Sequence, residues 1–285
     1  MTDAPPTQRA TLPTGLALDY IDIGQGPLVV LLHGGMGDCH SWEPQLAAFR
    51  QTHRVVAYSR RHSSGSAAAT DAGVHSLDTD VEDLAAFARA LHLGPAHLVG
   101  TSYGALTALA FALRHPSDVL SLCLAEPPLH RWCEQTKAGA RLFAEFMDSV
   151  WLPARAAFAS GDDAHAMQLL TDGIWGRPVF DTLDPPRRAA ALRNAAAMRA
   201  LTQSRNPFPD LPRAMVAAIA VPTLLIRGQH ASALHRCGVD ALKHAIPHAR
   251  LNVIGDAGHG AAFERPAEFN ATVLRFLADA TGQGA

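Results

Sequence analysis

The sequence predicts an α/β fold in which a mostly parallel sheet is covered by helices on both faces. Two observations carry this prediction: short apolar runs recur with turn residues at their ends, and segments with helical periodicity separate them. Most runs do not alternate between apolar and polar residues, which is typical of strands buried on both faces. A third observation is that this alternation of strand and helix stops after residue 128 and resumes after residue 215, which predicts an insertion.

The predicted elements follow in chain order. Residues 16–23 alternate between apolar and polar, so they predict an antiparallel edge strand or hairpin. Buried strands are predicted at residues 28–32, 55–58, 97–100, 119–125, 221–226 and 249–254. Helices are predicted at residues 77–91, 103–114 and 266–281, each with capping residues or a proline at an end.

The inserted segment is rich in alanine, arginine, leucine and proline and has no strand-like run. We expect about four short helices there. The predicted division is a core of residues 15–128 and 216–281, a helical lid of residues 129–215 and an N-terminal extension of residues 1–14. Because the insertion follows the strand that ends at Glu126, it should cover the carboxyl edge of the sheet, where α/β folds place their sites.

Composition narrows the class of protein. The chain has 285 residues, of which 48% are hydrophobic, so it can bury a sizeable core. A net charge of −2 does not favour nucleic acid or an anionic membrane surface as partner. The amino-terminal sequence lacks a secretory signal pattern, and no apolar stretch reaches about eighteen residues, so we expect a cytoplasmic protein. The oligomeric state is not predicted.

Cofactor and metal motifs are missing from the sequence. The four cysteines are scattered without a CxxC pair, which predicts free thiols. The fifteen histidines lack the spacing of a metal site on one element, and no GxGxxG follows the first strand. We therefore expect no metal and no cofactor.

The most informative segment is Gly100-Thr-Ser102-Tyr-Gly104, which lies between a predicted strand and a predicted helix. A serine on so tight a turn has strained backbone geometry, and side chains at the two glycine positions would collide with the strand and helix. The turn exposes the hydroxyl at the sheet edge, next to the N–H groups of a helix N-terminus. Ser102 is therefore predicted to be a nucleophile.

Because of this strand–turn–helix segment, the chain resembles the α/β-hydrolase fold superfamily, in particular its lidded esterase- and lactonase-like members. Two other segments agree in order: Leu31-Leu-His33-Gly34-Gly35 resembles the family's oxyanion loop, and the segment from Ile254 to Pro266 resembles the one that holds its catalytic histidine. The resemblance covers about residues 15–279. It implies an eight-stranded sheet and an oxyanion hole made of the backbone N–H groups of Gly35 and Tyr103.

The predicted base is His259, because a serine hydroxyl needs a base to attack near neutral pH. It lies between Gly258 and Gly260 after the last predicted strand. The base needs a carboxylate partner. Most relatives carry an aspartate a few residues after the run equivalent to residues 224–228, but this chain has Gln229-His-Ala-Ser232 there.

We therefore predict that Glu126 is the triad acid. It ends the apolar run after the nucleophile helix, and two prolines fix the chain behind it. Some relatives place the acid at this point. Asp256 and Asp240 are the rival candidates, and the remaining alternative is a strand-end glutamate that faces solvent or pairs with an arginine.

A second departure follows the strand at residues 55–58, where many relatives have an Asp-x-x-Gly-x-Gly-like turn and this chain has Arg60 and Arg61. Solvated arginines are the expectation, with contact to an anionic substrate as the alternative.

The sequence thus predicts a serine hydrolase that cleaves a small, largely apolar carboxylic ester or lactone through an acyl-enzyme. A hydrolase of carbon–carbon bonds in ring-cleavage products, and a ligand receptor with vestigial hydrolysis, would carry the same residues.

Overall fold

A computed structural model describes residues 5–64, 66 and 75–282. Its eight strands form one sheet in the order β1-β2-β4-β3-β5-β6-β7-β8. The strands are β1 (Gln8–Thr11), β2 (Ala17–Ile23), β3 (Leu28–Leu32), β4 (Arg54–Tyr58), β5 (Ala96–Thr101), β6 (Val119–Ala125), β7 (Thr223–Gly228) and β8 (Arg250–Ile254).

The strands from β3 to β8 pair in parallel, whereas β1 and β2 pair antiparallel at one end of the sheet. Leu32 of β3 is in register with Tyr58 on one side and Gly100 on the other, which aligns the carboxyl ends of the central strands. The prediction of a mostly parallel, eight-stranded α/β sheet is confirmed.

Helices cover both faces of the sheet. They are α1 (Glu43–Phe49), α2 (Leu77–Ala90), α3 (Tyr103–Arg114), α4 (His130–Cys133), α5 (Lys137–Phe146), α6 (Leu152–Ala159), α7 (Asp163–Trp175), α8 (Pro185–Arg193), α9 (Ala195–Gln203), α10 (Arg213–Ala217), α11 (Ala233–Ala245), α12 (Ala261–Glu264) and α13 (Pro266–Ala280).

Strand side chains alternate between two buried clusters, because successive residues of a strand point to opposite faces. In β3, Val30 and Leu32 join the cluster that contains residues of α2, α3 and α11. Val29 and Leu31 join the cluster that contains residues of α1 and α13. Burial on both faces explains why these strands appear in the sequence as continuous apolar runs.

The three helices predicted from periodicity are present as α2, α3 and α13, and α3 has the predicted bounds. The amino-terminal expectation needs a correction. Residues 8–11 lie inside the expected extension of residues 1–14, yet they form β1, which pairs with β2. This strand is short and lies at the sheet edge with only Ala10 buried, so its hydrophobic pattern is too weak to predict it.

The segment between β6 and β7, residues 129–215, is described throughout and contains no strand. We call it the helical insertion. It holds α4 to α9 and the start of α10, which is seven α-helices where about four were expected. Helices as short as α4 and α10 span little more than one turn, so they leave no periodic signal in the sequence.

Within the described residues, none of the helices is both long and apolar enough to span a membrane. All four cysteines are free thiols.

Candidate active site

Ser102 lies on the turn between β5 and α3. Its backbone has φ +51° and ψ −122°, a region that residues other than glycine rarely adopt. The N–H of Ser102 donates to the carbonyl of Ala125 at 2.7 Å, which fixes the turn against the end of β6. Such strain persists only where the surrounding structure holds it, and it is characteristic of a nucleophile turn.

Close packing explains the glycines on either side of this serine. A Cβ atom on Gly104 would lie 2.1 Å from the carbonyl oxygen of Leu32, at the end of β3. A Cβ atom on Gly100 would lie 2.6 Å from the Cα of Ala105. Both contacts would be with backbone atoms that cannot move aside. A side chain at either position would therefore collide with the neighbouring backbone, as expected from the sequence.

His259 lies in the loop after β8, and its Nδ1 donates to Oε2 of Glu126 at 2.6 Å. These two residues are 133 positions apart in the chain, and both side chains are largely shielded from solvent. A carboxylate on Nδ1 holds the tautomer that leaves Nε2 free to accept a proton. This pairing is the geometry expected of a base and its acid partner.

The Glu126 carboxylate is fixed on its other side as well. Oε1 accepts from the backbone N–H of Gly228 at 2.8 Å, and the Glu126 N–H donates to the carbonyl of Ile226 at 3.2 Å. The backbone of Glu126 has φ +47°, a second strained residue at the same sheet edge as Ser102. The side chain is 3% exposed, so the alternative of a solvent-facing glutamate does not hold.

The two rival carboxylates have other partners. Asp256 is exposed and lies 3.6 Å from the Arg265 guanidinium. Asp240 accepts from Arg227 at 2.9 Å on the outer part of α11. The Nδ1 atom of His259, which either would have to bind, is occupied by Glu126.

Ser102, Glu126 and His259 line one cavity of about 520 Å³ at the carboxyl edge of the sheet. The helical insertion supplies much of the opposite wall. Its apolar lining residues include Phe146, Trp151, Ile174, Met198, Leu201 and Phe208. An apolar cavity with a few polar groups at one end is typical of a small-molecule site.

Gly35 and Tyr103 also line this cavity. In the part of the chain that the structure describes, neither of their backbone N–H groups takes part in a hydrogen bond. Tyr103 begins α3, so its N–H is one of the unpaired donors of a helix N-terminus. Both groups are therefore available to an oxyanion formed at Ser102.

Arg60 does not have the solvated position that was expected for it. Its side chain is 3% exposed and lies 3.6 Å from the Asp80 carboxylate. One guanidinium nitrogen donates to the Gly34 carbonyl at 3.2 Å, and the guanidinium lies 4.7 Å from the centre of the Tyr103 ring. Because the Gly34 carbonyl and the Gly35 N–H belong to one peptide group, Arg60 holds the plane of that group.

His33 supports the same peptide group. Its Nε2 accepts from the Arg60 backbone N–H at 3.0 Å, so Nδ1 carries the proton and donates to the Gly34 carbonyl at 2.7 Å. Burial and the neighbouring Arg60 charge lower the pKa of His33 to about 3, so it stays neutral. Arg61 is only partly buried and forms two hydrogen bonds with Asp83, at 2.5 and 2.7 Å.

Two further histidines lie beside the site and were not predicted. The ring of His235 packs 4.1 Å from that of His259, and His130 packs 5.3 Å from His235. Burial lowers the pKa of both, to about 3 for His130, so both are neutral imidazoles. Neither has a sequence motif, because the three rings come from α4, α11 and the loop after β8.

Glu264 anchors the loop that carries His259. Its Oε2 accepts from the Gly258 N–H at 2.9 Å, and its Oε1 accepts from the Trp175 indole N–H at 3.0 Å. The Trp175 ring meets the His259 ring edge-on at 5.7 Å. Trp175 ends α7 of the insertion, so the insertion contacts the predicted base directly.

These features define a class of protein: a strained serine and a histidine–carboxylate pair meet at the carboxyl edge of a mostly parallel sheet. The sequence matches the family described as alpha/beta hydrolase fold over residues 27–266. The chain belongs to that family.

The relatives that the sequence matches are distant, but the alignments cover most of the chain. Epoxide hydrolase 3 of Xenopus tropicalis is 28% identical over an alignment of 279 positions, gaps included, which covers 93% of this chain and 75% of the relative. The 2-hydroxymuconate semialdehyde hydrolase of Pseudomonas sp. (strain CF600) is 28% identical over an alignment of 291 positions, gaps included, which covers 98% of this chain and 96% of the relative.

Among solved structures, the enol-lactonase from Burkholderia xenovorans LB400 superposes with a TM-score of 0.77 at 24% identity. The match covers 95% of this chain and all of the lactonase chain. At this identity the similarity shows the shared fold.

Proposed function

We propose that this protein is a serine hydrolase that cleaves a carboxylic ester or lactone through an acyl-enzyme intermediate, an activity of the EC 3.1.1 type. The observation that supports the proposal is the hydrogen bond of 2.6 Å between His259 and Glu126. Both residues line the same cavity as Ser102, whose backbone is strained. The three side chains supply a nucleophile, a base and an acid partner, the set that acyl transfer requires.

In the first step the Ser102 hydroxyl attacks the substrate carbonyl while Nε2 of His259 takes its proton. The resulting imidazolium is stabilised by Glu126, which receives the Nδ1 hydrogen bond. The backbone N–H groups of Gly35 and Tyr103 hold the negative oxygen of the tetrahedral intermediate. Collapse of this intermediate breaks the carbon–oxygen bond, and His259 gives its proton to the leaving alcohol.

In the second step water replaces the alcohol. His259 takes a proton from the water as the water attacks the acyl group on Ser102, and a second tetrahedral intermediate uses the same oxyanion donors. Its collapse releases the carboxylic acid and returns the proton to Ser102. For a lactone, acid and alcohol leave as one molecule.

The helical insertion is proposed to act as a lid over a core of residues 15–128 and 216–281. Lid residues such as Trp151 and Leu201 share the cavity with Ser102, which supports a substrate with an apolar acyl or alcohol part. The polar triad at one end of the cavity would receive the carbonyl, while the apolar wall would take the chain.

Ring opening of an epoxide is disfavoured by the nucleophile at position 102. Serine attack on an epoxide carbon would leave an ether, which water cannot hydrolyse under mild conditions, whereas a carboxylate nucleophile would leave an ester. The covalent intermediate of Ser102 turns over only if it is an acyl ester, which requires a carbonyl substrate.

The arginines that could have favoured an anionic ring-cleavage product are engaged elsewhere. Arg60 donates a hydrogen bond to the Gly34 carbonyl, and Arg61 donates one to the Asp83 carboxylate. These two residues therefore give no support to the carbon–carbon hydrolase alternative, although Arg187 and Arg193 of the insertion line the cavity and the substrate panel has to include an anionic ketone.

A substrate panel tests the proposal: p-nitrophenyl acetate, butyrate and octanoate, several lactones, and a dienoate ketone, all assayed with a chelator present. We expect turnover of esters or lactones. In Ser102→Ala the rate should fall by about 10⁶-fold, the loss seen when a serine nucleophile is removed from such a triad. Ser160→Ala, which changes a serine of the insertion outside the cavity lining, is the matched control.

Activity on the ketone alone would replace the proposed reaction with carbon–carbon cleavage. Ester activity that survives in purified Ser102→Ala would remove Ser102 as the nucleophile. Very slow turnover of every substrate, together with tight binding of one of them, would favour the receptor alternative.

A further inference from the structure

Three side chains from different elements converge beside the cavity. Glu126 follows β6, His235 lies in the first turn of α11, and His259 lies after β8. One ligand atom of each lies within 4.8 Å of those of the other two. We propose that these residues, here called the His-His-Glu cluster, bind a divalent cation of the Zn²⁺ type, and that the bound ion inhibits hydrolysis. The inhibition rests on the proposed function of His259, whereas the binding of the ion does not.

The donor set suits zinc. Two imidazole nitrogens and one carboxylate oxygen are ligands that Zn²⁺ takes in sites with an open fourth position. Tetrahedral bonds of about 2.0–2.2 Å place ligand atoms about 3.4 Å apart. To bind the ion, the Glu126 oxygen and the His259 nitrogen, now 2.6 Å apart, would have to separate slightly. The His235 nitrogen would have to move slightly closer to both, from a distance of at most 4.8 Å.

Outer contacts already orient two of the ligands. Nδ1 of His235 is hydrogen bonded with the Ser232 hydroxyl at 2.8 Å, which leaves Nε2 as the nitrogen available to an ion. Oε1 of Glu126 accepts from the Gly228 N–H, so the carboxylate plane is fixed while Oε2 stays at the cluster. Such outer-shell hydrogen bonds are a regular feature of protein zinc sites.

All three residues line the cavity of about 520 Å³. The cavity gives an ion a path to the cluster and leaves space for water as the fourth ligand. The buried Glu126 carboxylate supplies a negative charge that favours a cation there.

Inhibition follows from the tautomer of His259. In the ion-free protein Nδ1 carries the proton that Glu126 accepts, and Nε2 carries the lone pair that takes the Ser102 proton. A metal ion on Nδ1 needs the lone pair there, so the ring proton moves to Nε2. The ring can then no longer accept a proton from Ser102, and acylation stops.

A simpler role for His235 is packing against the His259 ring, since the two rings lie 4.1 Å apart at 34°. That role predicts no zinc binding at the cluster, so the two readings give different results. His130 provides a matched control, because it is also a buried histidine beside His235 but lies outside the cluster.

Binding is measured first, in a Ser102→Ala chain, so that the result does not depend on turnover. Zn²⁺ is titrated by calorimetry and Co²⁺ by its visible absorption. We expect one ion per chain, bound about tenfold or more weakly after His235→Phe, since losing an outer-shell partner alone costs 10–100-fold. His130→Phe should leave the affinity near that of the parent. His235→Gln is the second variant if His235→Phe is not folded by circular dichroism.

Inhibition is then measured in the active chain with an uncharged ester. Zn²⁺ should inhibit, a chelator should restore the rate, and His235→Phe should need about tenfold more zinc relative to its own zinc-free rate. Absence of saturable binding in Ser102→Ala, or equal binding after His235→Phe, would overturn the site. Binding without inhibition would overturn the proposed consequence. If no ester is hydrolysed at all, the proposed function fails and the binding titration still decides the site.

Discussion

The two walls of the cavity are built in different ways. The sheet-edge wall carries Ser102 and Glu126, both with positive φ and both held by backbone hydrogen bonds to neighbouring strands. The wall from the helical insertion carries side chains such as Phe146 and Phe208, which are held by packing against one another. Backbone constraint fixes atoms within tenths of an ångström, whereas apolar packing tolerates exchange of side chains of similar volume. From this difference we propose that the reaction takes place at the sheet edge and that the insertion selects the substrate.

Changing the acid on the sheet-edge wall should have the largest effect. Glu126→Gln keeps an oxygen for the Gly228 N–H but loses the charge that is proposed to stabilise the His259 imidazolium. Turnover should fall by up to about 10⁴-fold, the loss that an aspartate-to-asparagine change in the triad causes in serine proteases. Steady-state kinetics on one ester measure this, with Asp256→Asn as the matched control. An equal loss in Asp256→Asn would shift the acid to that residue.

Arg60 tests whether the sheet-edge wall depends on residues behind it. Arg60→Met removes one of three donors to the Gly34 carbonyl and loosens the peptide that carries the Gly35 N–H, which the His33 ring and the Gly37 N–H still hold. We expect kcat to fall by up to about 10²-fold, the lower end of the loss of one oxyanion donor, with KM nearly unchanged because the oxyanion forms only in the transition state. Arg60→Lys, which keeps the charge, should recover part of the rate.

The control for this variant is Arg61→Met, which loses an ion pair with Asp83 and no contact with the peptide. Its kcat should stay near the wild-type value. A rise in KM in Arg60→Met with kcat unchanged would assign Arg60 to substrate binding instead.

Both walls hold a buried neutral histidine that should make stability depend on pH. Burial lowers the pKa of His33 and of His130 from 6.5 to about 3. The unfolded chain takes up protons below about pH 6.5 that the folded chain cannot bind, so stability is full above that pH and is lost as the pH falls toward 3. At pH 5 each histidine should cost on the order of 2 kcal/mol.

His130→Phe should remove one of these contributions, because a phenyl ring fits the surrounding Phe143, Phe146 and Phe208. Urea unfolding at pH 7 and pH 5 measures the difference. The wild-type protein should lose on the order of 2 kcal/mol more than the variant. Equal losses would mean that His130 is protonated in the folded protein.

The smallest effect is expected from the insertion wall. Met198→Ala enlarges the cavity opposite Gly35, so kcat/KM for octanoate should rise about tenfold relative to acetate. The matched control is Met215→Ala, which shortens an exposed methionine outside the cavity. A fall in the rates for all esters by one common factor would mean that this wall also takes part in the chemistry.

Local signals in the sequence were enough for the sheet and for part of the site. The turn around Ser102 was predictable because any strand-to-helix turn this tight requires glycines. In this chain, side chains at the two glycine positions would collide with Leu32 and Ala105. Glu126 was predicted from the missing aspartate after β7 and from the end of the β6 run. The structure joins it to His259, although its role as triad acid stays a prediction.

Long-range contacts were not predictable in the same way. The burial of Arg60 depends on Asp80, twenty positions later in the chain, and on Tyr103, which folding brings beside it. The stack of His130, His235 and His259 joins three elements without any common spacing. The strand at residues 8–11 gains its order from pairing with β2 and not from an apolar pattern of its own.

The most direct test of the sheet-edge assignment is the rate and site of labelling by a small serine-directed phosphonate, followed by mass spectrometry. This small reagent reports on the nucleophilicity of the serine and has no long apolar chain that would have to bind to the helical insertion. We expect the label on Ser102 alone, with a labelling rate reduced by more than about 100-fold in Glu126→Gln. Asp256→Asn and Met198→Ala should keep the wild-type rate. A label on another residue, or a labelling rate in Glu126→Gln equal to that of the wild type, would contradict the account.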